Sequence, residues 1–187
     1  FVTGIKPKNT LVVGLASGST VRSMLLHDEP KQIDVVEIVP SVAEACAYFD
    51  ETEPLLENDR VQLYTEDILA FLASSKETYS IISSDGKFGW LNRSSTTLLS
   101  EEYYLRCADR LEENGLMVQW IPTEIPQEYF RVILNTISSV FPNTALFLIR
   151  KNLFILSSNQ PIILSEKAIQ GLFNNLDVRN ELVSATI

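Results

Sequence analysis

Thr10-Leu11-Val12-Val13-Gly14-Leu15-Ala16-Ser17-Gly18-Ser19-Thr20 is an apolar run that breaks into small residues and then opens a segment of helical period. It reads as a strand over Thr10 to Gly14 and a helix over Ser19 to His27. Small residues at such a junction let a ligand approach the backbone, and the amino end of the helix favours polar groups. Gly14, Ser17 and Gly18 are therefore the first candidates for a nucleotide site. A tight strand-to-helix turn without a ligand would need the same residue types, so the loop alone leaves both readings open.

Downstream the alternation repeats. Ile33 to Ile38 reads as a strand, Ser41 to Phe49 as a helix, Val61 to Tyr64 as a strand, Ile68 to Ala73 as a helix and Tyr79 to Ser83 as a strand. An irregular stretch from Gly86 to Thr97 leads to a helix over Glu101 to Leu111, with Glu113-Asn114-Gly115 as its stop. Leu116 to Ile121 is the fifth strand. Pro126 to Val140 carries Phe130, Ile133, Leu134 and Ile137 at helical spacing. Thr144 to Ile149 and Leu153 to Ser157 form a hairpin across Arg150-Lys151-Asn152, and a helix over Glu166 to Asn174 closes the chain. The fold class expected is α/β, with a seven-stranded, mostly parallel sheet, a final antiparallel hairpin and helices on both faces. That is the arrangement of the Rossmann-like class I methyltransferase fold, although periodicity alone equally permits an ordinary Rossmann domain.

With 187 residues, 45% of them apolar, the chain can bury one sizeable core, so a single domain over 1–187 is expected. Fifteen basic against twenty-four acidic residues give a net charge of -9, which argues against nucleic acid and leaves no basic stripe for a membrane surface. A cationic or neutral substrate suits such a chain better. Cys46 and Cys107 have neither CxxC nor metal-ligand spacing and read as buried free thiols, and no metal is expected. Charges interrupt every apolar run short of the ~18 residues that a membrane span requires. The chain starts at Phe1 and shows no signal-peptide pattern, so a fragment of a longer protein lacking an N-terminal region is expected.

The second strand ends in Val35-Val36-Glu37, about twenty residues after the loop, where a carboxylate can chelate the two hydroxyls of a ribose. Ile38 beside it joins the candidate nucleotide site. Asp67 follows the third strand and is open to two roles, ligand contact and helix N-cap. Asp85, in Ser83-Ser84-Asp85-Gly86-Lys87, follows the fourth strand, where Asp-Gly also suits a turn. The carboxyl edge of four consecutive strands thus carries glycine or acidic residues, and open α/β sheets bind ligands at that edge. Lys87 and Trp90 in the loop, and Trp120 at the end of the fifth strand, are candidates for the substrate wall, with core packing as the other reading of Trp120. His27, the single histidine, falls at the end of the first helix and away from this edge.

VVGLASGST, VVEIVPSVAEACAYF, DRVQLYTEDILAFL, YSIISSDGKFGW, LLSEEYYLRCADRLEENGLMVQWIP and ISSVFPN together resemble the spermidine synthase-like proteins. These are the polyamine aminopropyltransferases and related domains fused to membrane transporter-like regions. The resemblance implies an adenosyl-sulfonium donor, S-adenosylmethionine or its decarboxylated form, and an amine acceptor such as a polyamine. It implies that Gly14 and Gly18 line the nucleotide, Glu37 holds the ribose, Asp67 takes the adenine amino group, Ile68 covers the adenine, and Asp85 is the catalytic acid-base or amine-orienting residue. It further implies a homodimer and a cytoplasmic location, alone or as the soluble part of a membrane-attached protein. Two departures bear on the aminopropyl and polyamine side: Ser17 stands where the family carries an aspartate expected to hold the donor's terminal amine, and Gly86-Lys87-Phe88-Gly89 lacks the family's second acid. The family's N-terminal strand domain is also missing. Transfer of an aminopropyl group, transfer of a methyl group and nucleotide binding without catalysis all stay open on the residues alone.

Overall fold

The computed structural model describes residues 3–46, 48, 53–85, 96–149 and 152–184. Its strands are β1 (Asn9–Val13), β2 (Gln32–Glu37), β3 (Val61–Thr65), β4 (Tyr79–Ser84), β5 (Leu111–Pro122), β6 (Asn143–Ile149) and β7 (Asn152–Ser158). They form one sheet in the order β3-β2-β1-β4-β5-β7-β6. β1 to β5 pair in parallel, and β7 runs antiparallel to both β5 and β6. The fold class is therefore the one the apolar alternation predicts.

The helices are α1 (Ser19–Leu25), α2 (Pro40–Cys46), α3 (Glu53–Leu56), α4 (Ile68–Ser74), α5 (Glu101–Arg110), α6 (Gln127–Val140), α7 (Glu166–Asn174) and α8 (Leu176–Ser184). Period-two strands divide their side chains between two cores. Leu11, Val13, Val36, Ile82 and Met117 pack with Phe71 of α4, Cys107 of α5 and Ile137 of α6. Val12, Ile33, Val35 and Ile81 pack with Val21 and Met24 of α1, Cys46 of α2 and Leu55 of α3. Each such side chain contributes roughly 1.5–3 kcal/mol by leaving water, which fixes the sheet between its two helical layers. Both cysteines are buried thiols outside any disulfide.

Several boundaries differ from expectation. The helix before β5 ends at Arg110, where Leu111 turns extended at φ -78° and ψ 138°. Gly115 is thus no helix stop. Tyr79 faces Leu111 while Ile81 already faces Leu116, so β5 bulges between these pairs. A Cβ on Gly115 would stand 2.9 Å from Leu111 Cδ2 and 3.0 Å from the Tyr79 and Glu112 carbonyl oxygens, so close packing dictates the glycine. α2 starts at Pro40 and extends to Cys46, and α1 stops before His27, whose carbonyl accepts from Arg60 at 2.9 Å.

Asn175 explains why a further helix follows α7. It ends that helix, and its Oδ1 accepts from the Asp177 and Val178 amides at 3.0 and 3.3 Å, capping α8. Its Nδ2 donates to Leu26 O at 3.2 Å, tying the C-terminal helices to the end of α1. Among the described residues, no helix is long and apolar enough to cross a membrane.

Candidate active site

Strand order reverses between β1 and β4, the switch point at which open α/β sheets form a crevice beyond their carboxyl ends. There the Gly14 amide donates to Val36 O at 2.8 Å and the Asp85 amide to Val13 O at 3.1 Å. These bonds carry the ladder one step past β1 on both sides, so Glu37 and Asp85 flank the start of the glycine loop. Gly14 at φ 91° and Gly18 at φ 77° occupy the left-handed region open to glycine. Ala16 between them also has a positive φ, 47°, a strained choice for a residue with a Cβ. The Cys46 thiol donates to its carbonyl at 3.2 Å and holds the turn from behind. Burial, and then the nearby Glu37 carboxylate, push that thiol's pKa up.

Beyond this edge lies a cavity of about 700 Å³, large enough for a nucleoside and its substituent. Gly14, Ser17 and Asp85 line it from the strand ends and the loop. Glu37 and Ile38 line it from β2, and Asp67 and Ile68 from the start of α4. Seven of the predicted site residues therefore share one space. Gly18 sits at the amino cap of α1 rather than in the lining. Trp120 is not in the lining either; on β5 it pairs with Phe154, and its indole donates to Asn152 Oδ1 at 2.9 Å. Lys87 and Trp90 lie outside the described residues.

Glu37 is 8% exposed, and both its oxygens are held: the Leu15 amide donates to Oε2 at 3.0 Å and the Val39 amide to Oε1 at 2.9 Å. Two fixed amides orient the carboxylate, while each oxygen keeps a lone pair for a hydroxyl. Asp67 fulfils the cap role, accepting from Leu69 N at 2.8 Å and Ala70 N at 3.2 Å. Both bonds fall on Oδ1, so Oδ2 stays available to a donor from a ligand. Asp85 Oδ2 accepts from the Thr20 hydroxyl at 2.7 Å. Ser17 and Ser19 bond each other across 2.8 Å.

Several lining residues were not legible in the sequence. Val39 comes from just before α2, Ser41, Val42 and Ala45 from α2 itself, and Thr97 and Leu98 from the segment before α5. They form no motif with the glycine loop or the strand-end acids and reach the cavity only through the fold. Glu66 adds a fourth carboxylate to the lining beside Glu37, Asp67 and Asp85. Such a ring attracts cations and repels phosphates. Among the described residues, no group of three potential metal ligands comes together.

Comparison with known proteins bears on the fold and the family. A polyamine aminopropyltransferase of Lachnospira eligens is 35% identical over 114 residues, which are 59% of this chain and 39% of the relative. One from Alkaliphilus metalliredigens is 30% identical over 141 residues, covering 72% and 48%. The chain therefore spans less than half the length of these relatives. A crystal structure of spermidine synthase in complex with the transition-state analogue AdoDATO superposes with a TM-score of 0.81 at 21% identity, over 90% of this chain and 61% of that one. Human methyltransferase-like protein 13 in complex with SAH follows at 0.75 and 19%, over 95% and 84%. Both share the fold. The sequence model of the spermine/spermidine synthase domain matches residues 2–161, most of the chain, and the chain therefore belongs to the spermine/spermidine synthase domain family.

Proposed function

We propose that this domain binds decarboxylated S-adenosylmethionine and transfers its aminopropyl group to a polyamine or another amine. Glu37 carries the reading: a nearly buried carboxylate with both oxygens oriented by backbone amides, at the end of β2, suits a pair of ribose hydroxyls. Gly14 gives the backbone room beside the ligand and Gly18 starts the helix behind it. Ile38 and Ile68 flank the base, and Asp67 Oδ2 accepts from the adenine amino group. The acidic lining favours a sulfonium donor and an amine acceptor.

In the reaction the lone pair of a neutral amine attacks the methylene carbon beside the sulfonium. The carbon–nitrogen bond forms as the carbon–sulfur bond breaks, its electron pair returns to sulfur, and methylthioadenosine leaves neutral. Asp85 orients the amine and accepts the proton that the new ammonium sheds. Lys87 and Trp90 belong to the acceptor side of the proposal, and so does Trp120 if the acceptor extends along the end of β5. The same reading makes the protein a homodimer and puts it in the cytoplasm, alone or as part of a longer membrane-attached chain.

A second reading, methyl transfer from S-adenosylmethionine, is favoured by one observation. Ser17 and Ser19 contribute neutral hydroxyls, bonded to each other, which can donate to the tail carboxylate that S-adenosylmethionine has and its decarboxylated form lacks. The two readings separate by mass spectrometry of an amine acceptor incubated with each donor. Aminopropyl transfer adds a propylamine unit, methyl transfer adds a methyl group, and both are lost in Asp85→Asn only if Asp85 takes the proton. Binding of both nucleotides with no product of either kind would leave a nucleotide-binding module and overturn the proposal.

A further inference from the structure

We propose that Thr20 is a positioning residue that sets the orientation of Asp85; this rests on the reading of Asp85 as the proton-accepting group. Thr20 is the second residue of α1, sixty-five positions before Asp85, and its Oγ1 donates to Asp85 Oδ2 at 2.7 Å. That distance is the usual one for an O–H···O bond and meets the upper end of the charge-assisted range. The Asp85 main chain is held from the other side, by its amide bond to Val13 O at 3.1 Å. Backbone and side chain are thus fixed independently, one by β1 and one by α1. The carboxylate is left with Oδ1 for a ligand in the cavity that Asp85 lines.

The ionisable groups that share this lining are Glu37, Glu66 and Asp67, all acidic. Among these acidic neighbours, the Thr20 hydroxyl gives the Asp85 carboxylate a hydrogen-bond donor at close range. A β-branched side chain suits the task, because few χ1 rotamers are open to it in a helix and little freedom is lost in aiming the hydroxyl. Thr20 does not line the cavity itself, so its contribution reaches the chemistry through Asp85 alone.

The test compares Thr20→Val, which keeps the shape and removes the donor, with Thr20→Ser, which keeps the donor. In crystal structures of the full chain, the proposal expects the Asp85 carboxylate to stay in place in the serine variant and to leave its position in the valine variant. An Asp85 carboxylate unmoved in Thr20→Val overturns the proposal whether or not the protein turns over. In the transfer assay, kcat should fall roughly 10- to 100-fold in Thr20→Val, the worth of one hydrogen bond to a charged group, with KM for the donor and affinity for methylthioadenosine unchanged. Thr20→Ser should recover kcat to within about threefold. A kcat that falls equally in both variants, or a loss confined to KM, contradicts a positioning role. An inactive wild-type chain would sink the aminopropyl reading instead, and the crystallographic comparison would still decide on Thr20.

Discussion

In a Glu37→Gln variant, one of the two backbone amides that the carboxylate serves is left facing an NH2 group. Leu15 N and Val39 N donate to the two oxygens at 3.0 and 2.9 Å, and an amide side chain can accept only one of these bonds. Losing a hydrogen bond to a charged, nearly buried acceptor costs about 1.5–3 kcal/mol. For a chain of this size, that lowers Tm by roughly 3–12 °C. Binding should suffer separately. A ribose hydroxyl donating to the carboxylate contributes a similar amount, so affinity for methylthioadenosine should fall about 10- to 100-fold by titration calorimetry. The 2′-deoxy nucleoside separates the two effects: removing the 2′-hydroxyl should weaken binding to wild type by that factor and to Glu37→Gln by much less. Equal weakening in both proteins would refute a contact between Glu37 and the ribose.

Other expectations concern the frame that holds the site. Gly115→Ala forces a methyl into contacts of 2.9–3.0 Å with Leu111 and two carbonyl oxygens, and should lower stability by about 1–3 kcal/mol in urea unfolding; an unchanged midpoint would contradict the packing argument. Tyr79→Phe takes the hydroxyl that donates at 2.8 Å to the fully buried Asp34, leaving that carboxylate with the Gln32 amide at 2.9 Å; a loss of roughly 1.5–3 kcal/mol in guanidinium unfolding is expected. Burial raises the pKa of Tyr103 and Tyr104, seconded by the Cys107 thiol, and that of Tyr79, seconded by its bond to Asp34. Above an ordinary tyrosine pKa near 10, the unfolded chain therefore binds fewer protons than the folded one, so stability falls as pH rises. Absorbance at 295 nm should show fewer than the chain's six tyrosines ionised at pH 11 before unfolding; full ionisation of the folded protein would contradict it.

How much of this could be read from the residues depends on the range of the forces involved. Val12-Val13-Gly14 and Val35-Val36-Glu37 are legible because strand period, glycine and a terminal acid are local signals. Asp67 is legible as a cap for the same reason, and the structure confirms that role through its bonds to Leu69 and Ala70. The link from Thr20 to Asp85 depends on β1 and β4 becoming neighbours, which no local pattern states. Gly115 misleads because glycine after a helical run usually marks a left-handed cap, whereas here a carbonyl of β4 crowds it. Asn175 ends one helix and starts the next, so the sequence shows a stop where the chain turns. The side of β5 to which Trp120 turns is likewise decided by β7, through Phe154 and Asn152.

The most direct test is a crystal structure of this chain with methylthioadenosine. The nucleoside should lie across the ends of β1, β2 and β3, with both ribose hydroxyls within hydrogen-bond distance of Glu37 and the adenine amino group at Asp67. The cut sulfonium position should face Asp85. A nucleoside bound elsewhere, or an empty cavity at saturating ligand, would contradict it.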